Sequence, residues 1–129
     1  MSRAETVNVK VAIIRPIGYR DLKSWCEDPE NEYVGRKGVV FITDTQGQKS
    51  RYPKKDSKWA NPFKISKTQT REDVLELYKK YIISRLEDPK DQEITYEELK
   101  KLRGKKLGCW CAPEDCHADI LVTLSSKKY

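Results

Sequence analysis

Lys105-Lys106-Leu107-Gly108-Cys109-Trp110-Cys111-Ala112-Pro113-Glu114-Asp115-Cys116-His117-Ala118-Asp119 carries a strand–loop–helix pattern typical of layered α/β domains. Residues 105–110 read as a strand, the proline-containing stretch after them as a loop, and residues 116–126 as a helix. On that strand Cys109 and Cys111 face one side and Trp110 the other. The helix turns His117, Ile120, Leu121 and Leu124 inward. Working back along the chain, Thr70 caps a helix over 71–87, with Asp73 as the acidic partner three residues on. Val74, Leu75, Tyr78, Ile82 and Leu86 form its buried stripe. Thr95 opens a short helix that Gly104 ends. Residues 7–15 and 38–43 read as two further strands, and Asp44-Thr45-Gln46-Gly47 as a turn. Residues 18–33 read as a loop with one short helix from Asp21. Residues 48–69, with Pro53 and Pro62, read as a long irregular segment. Strands alternating with helices near the C-terminus predict a small α/β fold, with a mixed-sheet α+β fold close behind. The sheet is expected to be short, mainly parallel or mixed, and covered by helices, in one domain over 1–129.

The composition narrows the class. In 129 residues, 37% are apolar and 36% charged. One modest core fits, and wholesale disorder does not. No apolar run approaches a membrane span. The first residues lack a hydrophobic signal segment, so secretion is disfavoured and a cytoplasmic protein is expected. Four cysteines then read as thiols or metal ligands rather than disulfides.

The net charge of +6 is local. Residues 46–67 carry Lys49, Arg51, Lys54, Lys55, Lys58, Lys64 and Lys67 against Asp56, while the flanking regions balance. Tyr52 and Trp59 lie in the same stretch. Phosphate neutralisation beside exposed rings suits a single-stranded nucleic acid or a phosphate-bearing small molecule. A solvated lysine-rich loop is the competing reading.

Three of the four cysteines and the single histidine fall within nine residues, 109–117. Three kinds of chemistry fit. Cys111, Cys116 and His117, with Cys109 as a fourth ligand, offer zinc its preferred donors, although two separated short cysteine pairs are lacking. A thiol at a helix N-terminus, as Cys116 is placed, becomes a better nucleophile, with Cys111 across the loop. Buried thiols also pack as small hydrophobes, with His117 at the edge of the core.

These residues also carry a resemblance. Ser57-Lys58-Trp59-Ala60-Asn61-Pro62-Phe63 is similar to a Trp-Gly-Asn-Pro-Phe signature. Leu107-Gly108-Cys109-Trp110-Cys111 with Cys116-His117-Ala118-Asp119 is similar to a Leu-Gly-Cys-Trp-Cys…Cys-His-Gly-Asp ending. Tyr33-Val34-Gly35-Arg36 matches a hydrophobic-Gly-Arg element, and Thr70-Arg71-Glu72 with Tyr78 a Thr-Arg-Glu helix start. Over residues 31–126 the chain resembles the domain of unknown function 4326, a family of phages, bacteria and some larger viruses. The resemblance implies no settled activity. Ala60 and Ala118 stand where that family has glycine, and Ala60 requires an ordinary backbone conformation.

Joined together, the motifs predict a pocket at the strand ends. Arg36 and Arg71 would meet a phosphate or carboxylate. Trp59 or Phe63 would stack on a ring, and Asn61 would read a polar edge. Lys54, Lys55 and Lys58 would hold a nucleic-acid backbone. His117 would move a proton, with Glu72 or Asp119 orienting it. Each has a structural alternative: ion pairs for the arginines, a core plug for Trp59 and Phe63, a turn for Asn61-Pro62. The expected function is a nucleotide- or nucleic-acid-linked pocket protein with hydrolase or transferase chemistry. A basic non-catalytic nucleic-acid-binding module and a zinc-stabilised interaction domain are the alternatives. Paired carboxylates, a glycine-rich phosphate loop and a complete thiol–imidazole triad are all missing.

Overall fold

The computed structural model describes residues 3–110 and 116–127. Its centre is the strand read from Leu107-Gly108-Cys109. This β5, Lys106–Cys109, lies between β1, Glu5–Asn8, and β2, Asn31–Tyr33, and is parallel to both. The last strand of the chain is thus the middle of the sheet. Val7 pairs with Gly108, and Gly108 with Tyr33.

Helices cover both faces. On one lie α1, Val11–Ile14, and α2, Leu22–Glu27, whose Ile14, Leu22 and Trp25 are buried with Val9 and Tyr33. On the other lie α3, Arg71–Glu87, α4, Tyr96–Lys100, and α5, His117–Ser125. They pack Tyr78, Ile82, Leu99, Leu121 and Leu124 against Leu107 and Cys109. Residue alternation along β5 divides the layers, since Leu107 and Cys109 join the second cluster while Gly108 faces Trp25. The expected α/β architecture with helices over a short sheet is the one observed.

The long helix forms where its caps place it. The Thr70 hydroxyl accepts from the Asp73 N–H at 3.2 Å, and the Asp73 carboxylate accepts from the Thr70 N–H at 2.9 Å. Asp21 and Ser24 make the corresponding box at the start of α2. The helix caps of the sequence therefore hold.

Two strand expectations need correction, and two further strands appear where none is expected. The strand over 7–15 stops at Asn8, whose side-chain oxygen accepts from the Lys10 N–H at 3.0 Å and turns the chain. Val11–Ile14 then forms α1, and Pro16 and Gly18 (φ 109°) close that excursion. The strand at 38–43 narrows to β3, Val40–Thr43, and is not in the central sheet. It pairs antiparallel with β4, Lys49–Tyr52, in a separate hairpin. Phe41 on it is 62% exposed, so apolar composition alone misplaced the strand in the core. β4 is polar, which is why 48–69 read as irregular throughout. β2 is three residues long, below the length at which alternation is visible.

Candidate functional site

The segment over 57–65 has no regular secondary structure, yet several of its backbone polar groups find partners. Ser57 N–H donates to the Gly35 carbonyl at 3.1 Å. The buried Tyr78 hydroxyl donates to the Trp59 carbonyl at 2.6 Å. Arg36 donates from Nε and Nη2 to the Asn61 carbonyl at 3.0 and 2.7 Å, and from Nη2 to the Phe63 carbonyl at 3.0 Å. Arg36 is therefore first a clip that holds the Asn61-Pro62-Phe63 backbone in place. Asn61 is buried, and its side-chain oxygen accepts from the Phe63 N–H at 2.9 Å, making the turn. Ala60 is in an ordinary conformation, since none of the described residues other than glycine has positive φ.

Trp59 is 1% exposed and sits in the core with Tyr78 and Leu107. Its ring is a core plug and does not line the neighbouring cleft. Phe63 is partly buried, edge-on to Tyr81 with ring centroids 6.0 Å apart.

Beside this segment opens a cleft of about 440 Å³. It lies at the C-terminal ends of β2 and β5, the place where parallel sheets ordinarily leave a ligand crevice. Gly35 and Arg36 follow β2, Cys109 and Trp110 end β5, Cys116 and His117 begin α5, and Arg71, Val74 and Leu75 begin α3. Val39, Asn61, Phe63, Lys64 and Ile65 complete the wall. A side chain at Gly35 would displace the Tyr33 ring, whose far end folds over it. The Tyr33 hydroxyl donates to the Arg36 carbonyl at 2.8 Å and accepts from Trp110 Nε1 at 2.9 Å, tying the β2 exit to the β5 exit.

His117 has a defined hydrogen-bonding role. Its Nε2 is 2.6 Å from the Val34 carbonyl, which can only accept, so Nε2 carries the proton. In the neutral ring Nδ1 is then the acceptor, and Cys116 Sγ lies 3.5 Å from it. Cys116 is the N-cap of α5 rather than a helical residue, so its side chain can reach the neighbouring imidazole. Burial lowers the His117 pKa, and the positive Arg36 adds to this, against the opposing pull of the Val34 carbonyl and Asp119. The imidazole is thus biased toward the neutral form with a free lone pair aimed at a thiol. Tyr78 packs edge-on against it, with ring centroids 5.0 Å apart.

This bias makes stability depend on pH. Below the ordinary imidazole value of 6.5 the unfolded chain takes a proton that the buried ring resists. The contribution is complete above that pH and is lost as pH falls, by up to about 1.4 kcal/mol per pH unit at the steepest. His117 is the only histidine. Urea unfolding from pH 7.5 to 5 is expected to show this slope in the wild type, and His117→Gln should flatten it. An unchanged slope in the variant would refute the assignment.

The other nominated residues are dispersed. Glu72 is exposed in the first turn of α3 and does not line the cleft, so no catalytic role follows from its position. Asp119 accepts from the Cys116 N–H at 3.0 Å and the Thr6 hydroxyl at 2.7 Å, and so caps α5 and ties it to β1. The Val34 carbonyl, not a carboxylate, orients His117. No side-chain pattern in a sequence reveals that partner. Lys54 and Lys55 are exposed and do not line this cleft. Lys58 pairs with Glu98 at 3.1 Å and lies 5.5 Å over the Trp59 ring. Cys111 lies outside the described residues. Among the described residues no group of three or more His, Cys, Asp or Glu side chains converges as a metal site. Sequence reading missed Leu75, Trp110, Val39 and Ile65 as cleft walls, because all four looked like ordinary core or loop positions.

A small α/β domain with a cleft at its strand ends, walled by Asn61, Phe63 and the Cys116–His117 pair, is the class of protein defined here. The chain belongs to the family described as Domain of unknown function (DUF4326), whose model matches residues 17–127. It is similar to an uncharacterised 12.4 kDa protein in the nrdA–td intergenic region of enterobacteria phage T4, 42% identical over 60 residues. That match covers 46% of this chain and 53% of the relative. It is also similar to an uncharacterised protein of Acanthamoeba polyphaga mimivirus, 35% identical over 77 residues, or 54% of this chain and 53% of the relative. The chain therefore spans about half the length of each of these curated relatives. No solved structure is significantly similar to it. Among the described residues, no helix is long and apolar enough to cross a membrane.

Proposed function

We propose that the cleft binds a nucleotide-class ligand, an aromatic ring bearing phosphate, and that the Cys116–His117 pair acts on it in a hydrolase or transferase reaction. One observation carries the reading. A single cleft of about 440 Å³ combines an apolar body with two arginines and a thiol–imidazole pair. That is within the size of small-molecule sites, which are mostly apolar with a few convergent polar groups. Val39, Phe63, Ile65 and Trp110 would take the ring. Arg71, and the Nη1 edge that Arg36 leaves uncommitted, would take the phosphate. His117 Nδ1 would accept the Cys116 thiol proton, leaving a nucleophilic sulfur beside the ligand.

The test is a titration of purified protein with nucleoside monophosphates, read by tryptophan fluorescence. Trp110 lines the cleft, while Trp25 and Trp59 are buried. Saturable quenching is expected. It should be lost in Trp110→Phe, which removes the reporter, and calorimetry should still detect binding in that variant. Leu75→Trp, which fills the cleft, should abolish binding by both methods. No binding of any nucleotide, or undiminished binding to Leu75→Trp, would overturn the reading.

Zinc is a second reading, favoured by the 3.5 Å between Cys116 Sγ and His117 Nδ1. Two ligands at zinc–sulfur and zinc–nitrogen distances of about 2.3 and 2.0–2.1 Å lie about that far apart on a tetrahedron. The Nε2 bond to a backbone carbonyl is also how metal-bound imidazoles are oriented. Native mass spectrometry should find one zinc per chain if this holds, and a bare chain mass would remove it.

A further inference from the structure

A second cleft, of about 510 Å³, lies beside the first and is different in character. Arg36, Asn61 and Lys64 line both, so the two clefts are neighbours with one shared wall. Four more cationic or polar walls matter here: Lys37, Lys58, Arg85 and Tyr81. The one acid in the lining, Asp56, is held by the Lys37 N–H at 2.8 Å. Lys58 is paired with Glu98 and Arg85 with Asp91, each from outside the lining. Lys37 and Lys64 are exposed and have no carboxylate partner among the described residues. Two exposed cations without a carboxylate partner among the described residues thus line a basic cleft that shares a wall with the apolar one.

We infer that this basic cleft takes additional phosphate of the same ligand, so the protein prefers a nucleotide carrying more than one phosphate. The ring would occupy the apolar cleft, and the chain of charge would pass over Arg36 and Lys64 toward Lys37. The anchoring chemistry is phosphate against unpaired ammonium groups, reinforced by the partly buried guanidinium of Arg36. The same chemistry is offered by a polyphosphate chain and by the phosphodiesters of a strand end. The lysine-rich tip at Lys54 and Lys55, by contrast, lies outside this path. The inference rests on the nucleotide reading for the ring, but the basic cleft can be tested without it.

The experiment compares adenosine monophosphate, adenosine triphosphate, a 5′-phosphorylated adenylate dinucleotide and inorganic tripolyphosphate. Each is titrated calorimetrically at two salt concentrations into the wild type and into Lys37→Gln/Lys64→Gln. Both positions are exposed, so the double variant is expected to fold, and its melting curve checks that. A ligand with added phosphate should bind the wild type about tenfold or more tighter than the monophosphate, the worth of one charge-assisted contact. That advantage, read as the ratio of the two affinities because Lys64 also walls the apolar cleft, should shrink to about twofold in the double variant and in high salt. Triphosphate outperforming the dinucleotide assigns a polyphosphate chain, and the reverse assigns a strand end. Equal affinity for all nucleotides, or an advantage that survives in the double variant, overturns the inference. If no nucleotide binds but tripolyphosphate does so through Lys37 and Lys64, the nucleotide reading fails and the phosphate cleft stands. If neither binds, both fall.

Discussion

Trp59→Ala is expected to destabilise the protein by about 3–5 kcal/mol, the usual range for removing a fully buried tryptophan. The ring is 1% exposed and packs with Tyr78, Leu107 and the α5 side chains on one face of the sheet. Its loss leaves a cavity where the 57–65 segment meets the core. It also loosens the Trp59 carbonyl that accepts from the buried Tyr78 hydroxyl. The measurement is urea unfolding, with Trp59→Phe as the milder companion. A loss below about 1 kcal/mol together with failure to bind ligand would mean that Trp59 contacts ligand rather than core.

Gly108→Ala should be comparably severe, at about 3 kcal/mol or more, the upper range for overpacking a core. A methyl there would lie 2.5 and 2.7 Å from the Trp25 ring and 2.8 Å from the Val9 side chain. Both of those residues are 0% exposed and have no room to move. β5 is hydrogen-bonded on both sides, so it cannot shift without disturbing two ladders. Trp25→Leu in the Gly108→Ala background should recover part of the loss, a coupling that a double-mutant cycle measures. A Gly108→Ala protein that unfolds within 1 kcal/mol of the wild type would show that the layers are not packed as described.

The helices were legible because their ends are written in side chains. Thr70 with Asp73, Thr95 with Glu98, and Asp21 each make the cap their residue types allow. β5 was legible too, since Leu107, Gly108, Cys109 and Trp110 alternate between two covered faces. What sequence could not show is partnership. Nothing in Asn31-Glu32-Tyr33 announces a strand, because its reason for being one is the neighbouring β5. Nothing in Val40-Phe41-Ile42 says that its partner is the polar Lys49–Tyr52 rather than the central sheet.

The site was legible in the same uneven way. Cys109, Cys116, His117, Arg36, Arg71, Asn61 and Phe63 do converge on one cleft. Their roles differ from the simple expectation. Arg36 and Asn61 hold backbone, and Trp59 has left the site for the core. Adjacent positions in a helix would point Cys116 and His117 apart. The N-cap conformation of Cys116 instead brings its sulfur to the ring. Such a contact depends on one backbone torsion pair, which residue types do not disclose.

A ligand that meets the Cys116–His117 pair in the cleft is directly visible, because the chain has a single histidine. Nitrogen-detected NMR of labelled protein at pH 7.5 should show one imidazole, protonated at Nε2 and bare at Nδ1. Adding the tightest-binding nucleotide should move the His117 resonances saturably, with the dissociation constant found by calorimetry. Binding that leaves His117 unmoved would contradict the account.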